Sequence, residues 1–77
     1  MEELQSLLGC GRPWAEQRAA IALDLEEQYR AGELHPDEYR ELLEDLIRTD
    51  VLDSEADDLQ TKQILVYGIS QAISYIV

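Results

Sequence analysis

Apolar side chains return every three or four residues along most of this chain, and that spacing is the period of a helix, not of a strand. The plainest case follows His35-Pro36-Asp37-Glu38. There Tyr39, Leu42, Leu43, Leu46 and Ile47 fall on one side of a helix, opposite Glu38, Glu41, Glu44, Asp45 and Arg48. Proline followed by two acids is a helix-start signature, because carboxylates complement the positive end of the helix dipole. The spacing predicts a helix over about 36–51.

Two further helices are read the same way. Trp14, Ile21, Ala22, Leu25 and Tyr29 make an apolar stripe over about 13–31, with Pro13 at the first helical position and Gly32 just past the end. Glu26 precedes Arg30 by four residues, a favourable helical pair. The last helix is expected over about 54–76, opened by Ser54 with Asp57 three residues on, a variant of the capping box. Ile64-Leu65-Val66-Tyr67 is rich in strand formers. The polar residues Gln60, Gln63, Tyr67, Ser70, Gln71 and Ser74 nevertheless recur at helical spacing, and Leu65, Val66, Ile69, Ala72, Ile73, Ile76 and Val77 form the opposite face. Residues 1–9 hold two helical turns with Leu4, Leu7 and Leu8 on one side, ending at the glycine-rich break 9–13. The fold expected is all-α: one acidic domain over 1–77, a small bundle of three main helices to which the N-terminal segment adds a short fourth.

Charge sets the function classes. The net charge is −11 on 77 residues. From Asp37 to Asp58 there are ten carboxylates against two arginines, and from Leu59 onward no carboxylate side chain occurs. Direct nucleic-acid binding relies on lysine and arginine displacing counterions, so it is not expected, and neither is an anionic membrane surface. The single cysteine, Cys10, excludes an internal disulfide and fits a reducing compartment. The acidic start Met1-Glu2-Glu3 lacks the basic region of a secretory leader, and no stretch has the ~20 apolar residues of a membrane span. A cytoplasmic location is expected.

Catalytic machinery is not apparent. His35 is the only histidine and sits at a helix entrance. Cys10 has only Arg12 near it in sequence to lower its pKa, and partial burial in a turn is expected for it. Asp53, Glu55, Asp57 and Asp58 suggest a calcium loop, but an EF-hand needs glycine at its sixth position and glutamate at its twelfth. Counted from Asp53, those places hold Asp58 and Ile64. No phosphate-binding glycine loop, cysteine–histidine metal spacing or serine elbow occurs. No enzyme activity, cofactor or metal is expected.

The stretch Leu25 to Ile47, LEEQYRAGELHPDEYRELLEDLI, resembles the short helical-hairpin modules of the SHOCT type. The positions that carry the likeness are Leu25, Tyr29, Gly32, Leu34, Glu38, Tyr39, Leu42, Leu43 and Leu46, less than a third of the chain. Such modules usually end a longer protein, whereas here a further segment follows. The resemblance implies a helical hairpin used for oligomerisation or protein contacts.

The reading that follows is a non-enzymatic protein–protein interaction module: an adaptor, assembly or small regulatory protein that also self-associates. The alternative is an inhibitor of phage or mobile-element type, which imitates the phosphates of DNA and blocks a basic nucleic-acid-binding protein. Two surfaces are candidates. One is the acidic face of Glu38, Glu41, Glu44, Asp45, Asp53, Glu55, Asp57 and Asp58, which either recognises a basic partner or simply keeps the bundle solvated. The other is the last helix, through Leu65, Ile69, Ile73, Ile76, Tyr67 and Tyr75, unless its apolar face is the core. The partner expected is a protein with a basic or apolar docking surface, or a second copy of the chain.

Overall fold

The computed structural model describes residues 2–76, apart from the side chain of Thr49; Met1 and Val77 lie outside it. Helices account for its regular structure: α1 (Glu2–Leu7), α2 (Pro13–Arg30), α3 (Pro36–Leu46), α4 (Thr49–Glu55) and α5 (Leu59–Ser74). The architecture is a small all-α bundle, as the periodicity predicts.

α2 lies at the centre of the packing and touches α1, α3 and α5. Its buried face is Trp14, Ala15, Ala19, Ala22 and Leu25. Ile21, expected inside, is 47 % exposed. The stripe is thus turned toward the alanines, whose small side chains let neighbouring helix axes come close. α3 buries Tyr39 and Leu43 but leaves Leu42 exposed; α1 buries Leu4 and Leu7, and Leu8, just past its end, is exposed. The core closes around Leu4, Leu43, Leu52, Leu65 and Ile69, all fully buried. Each such side chain contributes about 1.5–3 kcal/mol relative to exposure.

The hairpin from α2 to α3 forms as the sequence predicts. Gly32 takes a positive φ of 79°, and the amides of Gly32 and Glu33 donate to the carbonyls of Tyr29 (3.1 Å) and Gln28 (2.9 Å). This pair of hydrogen bonds is the Schellman ending, which requires a left-handed residue at that point. Across the turn the rings of Tyr29 and Tyr39 stack at 4.5 Å between centroids.

The expected helix 36–51 is two helices. α3 ends at Leu46, Arg48 is extended (ψ 122°), and α4 starts at Thr49. Helical phase gives the reason. Nine residues separate Leu43 from Leu52, a rotation of about 180° at 3.6 residues per turn, so one straight helix would aim Leu52 away from the core. The break returns Leu52 to full burial. The last helix also starts later than expected. Ser54 lies inside α4 and bonds back to the Val51 carbonyl at 2.6 Å, while Asp58 caps α5 by accepting from the Thr61 amide at 2.9 Å. The acidic run holds several residues able to cap a helix, and sequence alone favoured the wrong one.

α1 rests on α5 at Gly68. A Cβ there would meet Leu4 Cδ2 at 3.0 Å and Cγ at 3.1 Å. Gly68→Ala therefore sets a helix-propensity gain of about 1 kcal/mol against displacement of Leu4. Leu4→Ala alone is expected to cost about 2–4 kcal/mol. In that background Gly68→Ala should become stabilising, so a double-mutant cycle by urea unfolding should show coupling. Strictly additive effects would mean that α1 does not seat on Gly68.

Candidate functional site

The α4–α5 connection, the densest part of the acidic run, is bound down by the start of α2. Asp57 accepts from the Trp14 indole Nε1 at 2.9 Å and from Arg12 Nη1 at 3.0 Å. Arg12 also pairs with Asp58 at 3.7 Å. Arg18 donates to the carbonyls of Leu46 (3.2 Å) and Trp14 (3.1 Å) and forms an ion pair with Glu55. Its side chain is 13 % exposed, so its charge is largely withdrawn from water. Lys62 of α5 pairs with Asp53 of α4. Asp53, Glu55, Asp57 and Asp58, expected as partner contacts, thus serve as internal fastenings, and the calcium reading finds its carboxylates already engaged.

The environments shift two of these acids. The Trp14 indole, followed by the Arg12 guanidinium, holds Asp57 below the ordinary 3.8 despite some loss of hydration. The Thr61 hydroxyl and then its amide hold Asp58 below it as well. A depressed folded-state pKa contributes stability above the ordinary carboxylate value, and that stability is lost as pH falls through the depressed one. These two groups should therefore contribute to a fall in melting temperature below about pH 3.8. The Asp57→Asn/Asp58→Asn protein should show a flatter acid limb, since Asn still caps a helix. Parallel acid limbs would mean these two carboxylates are not the sensitive groups.

Arg18→Met removes the donor to Leu46 and strands Glu55. A loss of about 2 kcal/mol is expected, as for hydrogen bonds to a charged group, together with faster amide exchange across residues 46–56. An unchanged stability would show that Leu52 alone holds α4.

The α3 residues fare differently. Glu38 accepts from the His35 amide at 3.3 Å and closes the helix start. His35 is exposed there, and Cys10, expected to be partly buried, is exposed too. Glu41, Glu44 and Asp45 are exposed and form no ion pair among the described residues. On the last helix Leu65 and Ile69 are fully buried and Ile76 is 8 % exposed, so these three are core and not a docking face. Ile73 is half-buried; Tyr67 and Tyr75 are exposed.

Sequence reasoning missed a groove of about 520 Å³ where α1, α2, α3 and α5 meet. Tyr29, Tyr39 and Tyr75 line it together with the carboxylates of Glu2, Glu3 and Glu26. Arg30 lies at its edge, 3.7 Å from Glu26, with 76 % of its side chain exposed. Tyr39 is only 3 % exposed and makes no hydrogen bond among the described residues. No fully enclosed polar side-chain atom there lacks a partner, so the Tyr39 oxygen opens onto the groove. Burial, then the Glu26 charge, pushes its pKa up to about 12. The hydroxyl stays neutral at physiological pH. Glu26, Tyr29 and Arg30 share a helix face readable from their spacing, but Glu2 and Glu3 arrive only because α1 docks on Gly68.

Among the described residues no group of three or more histidine, cysteine or acidic side chains is placed to hold a metal ion. No described helix is long and apolar enough to cross a membrane. No family model matches the chain, and comparison with curated proteins and with solved structures found no match.

Proposed function

We propose that this chain is a non-catalytic protein-interaction module that recognises a basic surface on a partner protein. One observation carries the reading: every one of its six cations is already engaged by a carboxylate of the same chain. Seven acids take part in these pairs, which leaves ten of the seventeen without a cation among the described residues. The surplus charge presented to a partner is therefore negative, and it lies on α1, α2, the α2–α3 turn and α3 and not on α5. Its field speeds encounter with a cationic surface and rejects an anionic one.

Glu41, Glu44 and Asp45 supply the most concentrated part of that surplus. They lie within two turns of α3, about 6 Å of helix. Self-association through α5 has less support, because Leu65 and Ile69 are occupied in the core and two copies at −11 repel. Inhibition of a nucleic-acid enzyme is the special case in which the basic surface is that enzyme's phosphate-binding site.

The test is capture of host proteins on the immobilised chain. Bound protein should be released on raising salt toward about 0.5 M, where the screening length is only a few Å. Glu41→Lys/Glu44→Lys/Asp45→Lys should abolish capture while leaving the melting temperature within a few degrees of the parent. Duplex DNA should compete only if the partner's surface is a nucleic-acid site. Retention insensitive to both salt and charge reversal would reject the proposal.

A further inference from the structure

The groove beside α1 has a chemistry of its own. Three glutamates, Glu2, Glu3 and Glu26, line it with the oxygen of Tyr39, against one cation, Arg30, and one side-chain amide, Gln71. Two features separate it from an ordinary acidic patch. Its walls are aromatic, and it contains a phenol that is nearly buried yet unpartnered among the described residues. The Tyr39 ring is held in place by burial while its oxygen opens onto the groove, so an arriving donor meets an acceptor already fixed in position.

The occupant can be deduced by class. The volume, about 520 Å³, is that of a pocket for a side chain or small ligand. The acids of α1 and α2 call for a cation. The carboxylates come from separate helices and are not gathered as metal ligands. Tyr39 is stacked on Tyr29 and buried. The Tyr75 ring, however, is 78 % exposed and favours a planar, weakly hydrated cation that stacks, which describes guanidinium better than ammonium. Arg30 gives an internal precedent: a guanidinium already approaches Glu26, but at 3.7 Å, beyond hydrogen-bond length, and mostly in water. It is easily displaced.

Building on the function proposed above, we infer that this groove receives an arginine side chain from a basic segment of the partner protein, with Glu26 and Glu3 as counter-charges and the Tyr39 hydroxyl as a neutral acceptor. α3 and the groove then divide the work. The first attracts basic chains in general, and the second selects one residue type.

The probe is a short capped peptide of alternating arginine and glycine, titrated into the full chain at about 0.15 M salt and followed by amide NMR shifts. Shifts should concentrate at Gly68, Gln71, Ala72 and Tyr75. Glu26→Gln should weaken binding about tenfold, equivalent to about 1.4 kcal/mol. Tyr39→Phe should weaken it about fivefold without lowering the melting temperature, because only an unpartnered hydroxyl is removed. The matching lysine peptide should bind about fivefold more weakly.

Shifts confined to α3, with Tyr39→Phe and Glu26→Gln binding as the parent does, would overturn the groove assignment and leave the basic-partner reading standing. Absence of peptide binding would overturn it too, and the α3 charge-reversal capture then decides the wider reading by itself. Equal affinity for arginine and lysine peptides would overturn the guanidinium assignment. Groove binding that persists while capture ignores α3 reversal would sustain this inference and reject the α3 surface instead.

Discussion

Arg18 joins chain segments that apolar packing leaves poorly connected. One guanidinium reaches the carbonyl ending α3, a carbonyl of its own helix and the carboxylate closing α4. α4 itself is short and buries Leu52. Without the cation, the turn after Leu46 would expose a carbonyl with no successor in the helix, and Glu55 would add to an already excessive negative charge. Trp14 and Arg12 extend the same fastening one turn earlier, onto Asp57 and Asp58. The late start of α5 and the break in α3 both follow from where this end of α2 reaches.

That arrangement changes the meaning of the net charge. A value of −11 on 77 residues suggests uniform repulsion. In the folded chain the carboxylates fall into two populations. Those between Asp53 and Asp58 face cations or an indole and hold elements together, so they contribute little to the outer field. Exposed ion pairs are individually weak, typically about 0–1 kcal/mol. Arg18 differs because its charge is mostly removed from water and every direction of its fork finds an acceptor. The second population, on α1, α2 and α3, is paired only at Glu26 and Asp37, each at 3.7 Å from an arginine of its own helix, and otherwise has no cation among the described residues.

Much of the fold was legible in the sequence, because the signals concerned are local. Gly32, Pro36 and the acids after it mark the α2–α3 turn through backbone chemistry that involves only neighbours. The helical reading of Ile64 to Tyr67 also held, since the spacing of polar residues outweighs strand propensity. Less legible was anything set by a distant partner. The break at Leu46 depends on the phase of Leu52 and on Arg18, twenty-eight residues away along the chain. A sequence signal did exist: Arg18 lies on the alanine stripe, four residues from Trp14 and from Ala22, where an unpaired cation would be costly. The last helix was ambiguous for a plainer reason. An apolar face reads the same whether its cover is the rest of the chain or another molecule, and only burial of Leu65 and Ile69 decides between them. The groove was hidden because its acids belong to α1 and α2 and its phenol to α3.

Attraction and selection make different physical demands, and the proposed function assigns them to different parts of this molecule. Long-range attraction needs only surplus charge. It tolerates mobile side chains, works through water and fades with salt. Selection of one side chain needs fixed geometry and groups left unsatisfied until the correct ligand arrives. The α3 acids, exposed and without defined partners, suit the first task and are poorly equipped for the second. Tyr39 suits the second: its ring is fixed by stacking on Tyr29 and by burial, while its oxygen faces the groove without a partner. Filling the same space with an apolar ring would keep the packing and lose the oxygen that opens onto the groove. The phenol is therefore the residue on which the proposed selection depends.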